Sequence, residues 1–175
     1  MSSMPAADLP DAANLSFGPQ HYSDSVTVRG LGPAPRVFAR AELEQMAGVV
    51  ADALSIACYS GRHIREVGRA RGVPLTALLE ASGLGALPRS QCKQMVFAVG
   101  ARDAYTCLFT WHELYNTPGG QGALLLVEQD GVAFPASAGG LQLISLGDLR
   151  LGPRQAMAVD RLDVGRWPAP VRDAG

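Results

Sequence analysis

The segment YTCLFTWHELYNTP, residues 105–118, decides the kind of fold to expect, because a strand runs into a helix there with no loop between them. Tyr105 to Phe109 read as a strand rich in aromatic and β-branched residues. Thr110 then stands where an N-cap belongs, and Glu113, three residues on, completes a capping box. Phe109 and Leu114 are spaced as a hydrophobic staple, and Pro118 stops the helix.

Working outward, GALLLVEQDGVAF (122–134) reads as strand, Asp-Gly turn and strand, the usual hairpin pattern. GLQLISLGD (140–148) and QAMAVDRLDV (155–164) add further strands, and KQMVFAVGA (93–101) is a buried one. Before these, VPLTALLEASGLG (73–85) is a compact helix with a Leu75, Leu78, Leu79 stripe, Pro74 in its first turn and Gly83 or Gly85 at its end. SVTVRGLG (25–32) alternates as a half-buried strand through Val26 and Val28. RVFARAELEQMAG (36–48) is an extended piece leading into a short helix that Gly48 stops. VVADALSIACYSG (49–61) reads as one strand ending in a Ser-Gly turn. About seven to nine short strands and about three short helices, in irregular order, make a mixed α+β domain rather than an alternating βα repeat. The expected boundaries are a tail over 1–24, one domain over 25–165 and a second tail over 166–175.

The chain has 175 residues, 47% hydrophobic and 18% charged, enough for one core. A net charge of −1 gives no bulk reason to bind nucleic acid or an anionic membrane, so any anion site is local. No export signal is readable at the start, and no apolar run approaches the roughly 18 residues of a membrane helix. A cytoplasmic protein is the expectation. Three cysteines, an odd number, argue for free thiols rather than a disulfide framework, and neither a CxxC pair nor an HxxxH pair suggests zinc.

One cysteine stands apart. In IACYSGRH (56–63), Cys58 follows an apolar run and precedes a turn and two cationic residues. Strict alternation puts it on the apolar face with Leu54 and Ile56, whereas a bulge at the turn would re-aim it. Either it packs, or it presents its sulfur. Residues 62–72, RHIREVGRARG, hold four arginines against one glutamate, which read as a solvated loop or as an oxyanion clamp.

The ordered set VTVRGLG, RAELEQMA, the strand ending in Cys58, GVPLTALLEASGL, DAYTCLFTWHELYN, LLLVEQDGVAFP and GGLQLISLGDLRLGPRQAMAVDRLDV resembles the molybdopterin-binding domain of the sulfite oxidase family, in its small single-domain bacterial form. The resemblance covers roughly residues 25 to 165 and implies that family's α+β fold. It also implies a molybdenum-pterin cofactor with Cys58 as the protein ligand to the metal. Ser60, Gly61, Arg62, His63, Arg150 and Arg154 would then bind the cofactor, and Tyr105 would offer its hydroxyl in the pocket. The implied activity is oxo transfer on a small oxyanion or oxide, with electrons passed to a separate redox partner protein, since no haem or iron–sulfur signature is present. The chain has Asp103-Ala104-Tyr105 where the family often has Asp-Gly-Tyr, and Gly147-Asp148-Leu149 where small members often have Gly-Asp-Lys. Those departures suit the alternative of a non-catalytic member, a pterin-binding or protein-interaction module without molybdenum.

Overall fold

The computed structural model describes residues 21–167, so most of the two expected tails lies outside the described residues. Within them the chain forms thirteen strands and four short α-helices. In chain order these are β1 (Ser25–Arg29), β2 (Arg36–Ala39), α1 (Arg40–Met46), β3 (Val49–Ala51), β4 (Leu54–Ala57), β5 (His63–Val67), β6 (Ala70–Pro74) and α2 (Leu75–Ala81). They continue with α3 (Arg89–Cys92), β7 (Met95–Ala101), β8 (Thr106–Thr110), α4 (Trp111–Tyr115), β9 (Ala123–Gln129), β10 (Val132–Ala133), β11 (Gln142–Ser145), β12 (Ala156–Met157) and β13 (Val159–Arg166).

Two sheets and a separate hairpin result. The first sheet runs β2-β1-β13-β7-β8, antiparallel except for β1 beside β13. The second runs β12-β11-β9-β6-β3, with β10 folded back on β9 through the Asp130-Gly131 turn. Both turn residues have positive φ, 52° and 78°, the conformation of a tight hairpin turn. The third unit is β4-β5 alone.

Strand β9 explains how they stack. Ala123 to Val127 are all buried, and successive side chains point to opposite faces. Leu125 and Val127 enter a core that also takes Phe97 and Leu162 from the first sheet, Leu43 from α1 and Leu78 from α2. Leu124 and Leu126 enter a second, smaller cluster with Leu54, Ile56 and Val67 of the hairpin, Phe134 and Ile144. The hairpin thus caps the outer face of the second sheet. Arg71 locks α1 to that sheet, pairing Glu128 through two bonds of 2.9 and 2.8 Å and donating to the carbonyls of Glu44 and Ala47 at 2.8 and 3.0 Å.

Several local expectations need correction. Residues 49–57 are two strands in different sheets, because Ala53 adopts φ 49° and turns the chain between them. The arginine-rich stretch 62–72 is not a loop but most of β5 and β6. Ala158, at φ 57°, likewise divides 155–164 into β12 and β13. Pro74 closes β6 and caps α2 rather than sitting in its first turn. The strand-to-helix junction at 105–118 forms with both capping-box bonds: the Glu113 amide donates to Thr110 Oγ1 at 3.2 Å, and the Thr110 amide to Glu113 Oε2 at 2.8 Å.

Candidate functional site

The β4-β5 hairpin turns through Tyr59, Ser60 and Gly61. Cys58 closes it, donating its amide to the Arg62 carbonyl and accepting from the Gly61 amide, both at 2.9 Å. Gly61 has φ 86°, which fits a three-residue hairpin loop whose last residue is left-handed. The pairing register slips between Ile56 and Ala57, so Cys58 leaves the strand's inward alternation and is half-exposed. It is absent from both core clusters.

The thiol has a polar setting. Its Sγ lies 2.9 Å from Ser60 Oγ. That hydroxyl foremost, with help from the Ser60 and Arg62 backbone and the Arg62 side chain, brings the thiol down to about 7 against weaker opposition from desolvation. In the metal-free protein, alkylation of Cys58 should therefore rise with pH to a midpoint near 7. Ser60→Ala should move that midpoint upward, because the hydroxyl stabilises the thiolate more than the thiol. A stopped-flow iodoacetamide profile checks this, and an unmoved midpoint would remove Ser60 from the account.

A second loop, between β11 and β12, lies against the turn. A Cβ on Gly152 would sit 2.5 Å from the Ala57 carbonyl oxygen, and one on Gly61 would sit 3.6 Å from the Arg150 guanidinium. The loop packs backbone to backbone on the residue before Cys58 and lays Arg150 over the turn. Arg62 and Arg150 are exposed, and neither forms an ion pair among the described residues. His63 instead bonds Glu66 at 2.7 Å, and Glu66 is held by Ser55 at 2.9 Å.

Arg154 has a different setting from Arg150. Its Nε and one terminal nitrogen grip Asp148 at 2.8 and 2.7 Å, its other terminal nitrogen meets Glu113 at 3.1 Å, and its guanidinium lies 4.5 Å from the Phe109 ring centre. It ties the loop to α4. The Tyr105 hydroxyl donates to the Pro153 carbonyl of the same loop, and the Cys107 thiol donates to the Arg154 carbonyl at 3.5 Å. Burial is the main reason the Tyr105 hydroxyl and the Cys107 thiol are both pushed up. Ala104, just before Tyr105, sits at φ 70°, a conformation glycine adopts without strain.

Arg154→Met should loosen this loop. It leaves Asp148, whose side chain is only 16% exposed, without its bidentate partner. The expected cost is about 1–3 kcal/mol in urea unfolding, the worth of a charge-assisted pair that is partly screened. No change would mean that solvent already satisfies Asp148.

The candidate residues thus fall into one cluster with two roles. Cys58, Ser60, Gly61, Arg62 and Arg150 gather at the hairpin tip. Tyr105 and Arg154 brace the loop that leans on it. The carboxylate partners of Arg154 were not visible as such in the sequence, since Asp148 and Glu113 meet only through the fold. A cleft of about 670 Å³ is lined by Phe109, Glu113, Ser145, Asp148 and Arg154 among others, but not by Cys58. Among the described residues no group of three or more His, Cys, Asp or Glu side chains is placed to hold a metal. No helix there is long and apolar enough to cross a membrane.

No known family's sequence model matches this chain, and no curated protein sequence does. A solved structure does match: the crystal structure of the sulfane dehydrogenase SoxCD from Paracoccus pantotrophus, at a TM-score of 0.57 and 19% identity. The match covers 85% of this chain and 39% of that one, so this chain spans well under half of its neighbour's length. At that identity the likeness is one of fold.

Proposed function

We propose that this chain is an oxidoreductase domain of the sulfite oxidase type that holds a molybdenum-pterin cofactor through Cys58. The observation that carries the reading is the Cys58 thiol itself, placed at a hairpin tip outside the core, with its pKa near 7 and beside it two arginines that form no ion pair among the described residues. The donor set fits the group: a soft thiolate suits molybdenum, and exposed guanidinium groups suit a phosphate or a small oxyanion. The dehydrogenase name of the solved neighbour agrees with the redox class.

When bound, the cofactor would supply two-electron oxo transfer to or from a small oxyanion or oxide. Cys58 would ligate the metal, and Ser60 would keep its sulfur ionised. Gly61, at φ 86°, permits the turn, and Arg150 lies across it. Arg62 and Arg150 would hold the anionic groups of cofactor or substrate, and His63, fixed by Glu66, would flank them. Tyr105 and Arg154 would set the position of the loop that carries Arg150. Electrons would leave through a separate redox partner protein.

One observation favours a second reading, a pterin-binding or interaction module without molybdenum: the 670 Å³ cleft omits Cys58, and Arg154 beside it is already neutralised by two carboxylates. Elemental analysis for molybdenum, with pterin fluorescence after oxidative release, separates them on protein from a host that makes the cofactor. Near-equimolar molybdenum and pterin support the first reading, and pterin alone the second. Neither would leave an interaction module.

A further inference from the structure

Arg65 lies where a cation is not expected. It pairs directly with Ile56 across the hairpin, and directly opposed residues put their side chains on the same face of a sheet. Ile56 is fully buried in the cluster beneath the hairpin. Arg65 therefore points inward, against the second sheet.

There it finds a neutral partner. Its guanidinium donates to Gln142 Oε1 at 2.8 Å. Gln142 is itself fully buried, held through its amide nitrogen by the Ala138 carbonyl at 3.0 Å. Among the described residues no carboxylate comes within ion-pair distance of Arg65. Burial alone pushes its pKa below the ordinary value, with no opposing anion to restore it. A half-buried charge facing only an amide dipole is left uncompensated.

The rest of the surroundings define what would compensate it. Arg65 lines a cavity of about 250 Å³ whose other walls include Val132, Ala133, Phe134, Pro135 and Ala138. A single planar guanidinium matches a carboxylate through two parallel bonds. A phosphate dianion would call for further donors, and no second cation lines this cavity. The apolar walls call for a hydrocarbon body.

We propose that this cavity binds a small monocarboxylate with a compact apolar or aromatic body, its carboxylate on Arg65 and its body against Phe134 and Pro135. The site is separate from the Cys58 turn and does not depend on how that turn functions. The carboxylate would come either from a free small acid or from the C-terminus of a peptide ending in an apolar residue.

The test is a titration of the full ¹⁵N-labelled chain with sodium benzoate, followed by NMR. Saturable shifts are expected at Phe134, Ala138, Gln142 and the Arg65 side-chain N–H. Binding should weaken at least about tenfold for benzyl alcohol, which keeps the ring and loses the charge, and for sulfate, which keeps the charge and loses the ring. Arg65→Met should weaken benzoate binding by a similar factor. Ala138→Leu, which fills the cavity and keeps the cation, should do the same and decides the matter if Arg65→Met does not fold. N-acetylphenylalanine binding as well as benzoate would point to a peptide C-terminus, and benzoate alone to a free acid. Shifts that do not saturate, that map elsewhere, or that persist in Ala138→Leu would overturn the assignment. So would equal binding of sulfate or benzyl alcohol.

Discussion

Cys58→Ser, produced in a host that makes the cofactor, is expected to fold with an unchanged melting temperature and to retain less than about a tenth of the wild-type molybdenum. The two halves of this expectation rest on different observations. The fold survives because the side chain belongs to neither core cluster and the turn is closed by backbone bonds, from Cys58 N–H to Arg62 and from Gly61 N–H to Cys58. On the proposed reading the metal would be lost because a serine hydroxyl stays protonated near neutral pH, whereas the thiol ionises at about 7, and because oxygen is a harder donor than the sulfur that molybdenum prefers. The opposite pattern, a lowered melting temperature with metal content unchanged or absent throughout, would make Cys58 a packing residue. Circular dichroism melts and elemental analysis on the same two preparations distinguish the patterns.

Ile56→Ala should have the larger effect on stability, about 2–5 kcal/mol in urea unfolding. Ile56 is fully buried in the small apolar cluster that fastens the hairpin to the second sheet, with Leu54 and Val67 on one side and Leu124, Leu126, Phe134 and Ile144 on the other. A cavity opened there has few neighbours to collapse into it. The loss should also be local: hydrogen exchange should accelerate across residues 54–67 well before it does in β7 or β13, which belong to the other sheet. If Cys58 ligates the cofactor as proposed, its retention should fall with the hairpin that carries it. A cost below about 1 kcal/mol would mean that the hairpin is held by something other than its apolar underside.

What could be read in advance follows the range of the forces involved. The strand-to-helix junction at Thr110 was legible because a capping box is complete within four residues. The Asp130-Gly131 turn was legible for the same reason. By contrast, nothing near Ala53 or Ala158 announces a positive φ, since alanine is a poor residue for it; tertiary packing imposes those turns. The strand character of the arginine-rich stretch was hidden because its partners are remote: Arg71 meets Glu128 across the β6-β9 pairing, and Arg65 meets Gln142 across the packing of the hairpin on the second sheet. In the site, the Cys58 turn was locally encoded by Ser60 and Gly61. The approach of Arg150 was not, since it depends on Gly152 packing on the backbone of Ala57. The inward face of Arg65 needed the register with Ile56.

The place of β13 bears on how the chain is made. It lies between β1 and β7, the one strand joining the two halves of the first sheet, yet it emerges from the ribosome after the other twelve strands of the described residues. Until then β1 and β7 each expose an unpaired edge above a core that lacks Leu162. Cotranslational folding can finish the second sheet and its hairpin but must leave the first sheet open. Those edges therefore stay open to wrong pairing until β13 has emerged and inserted between them.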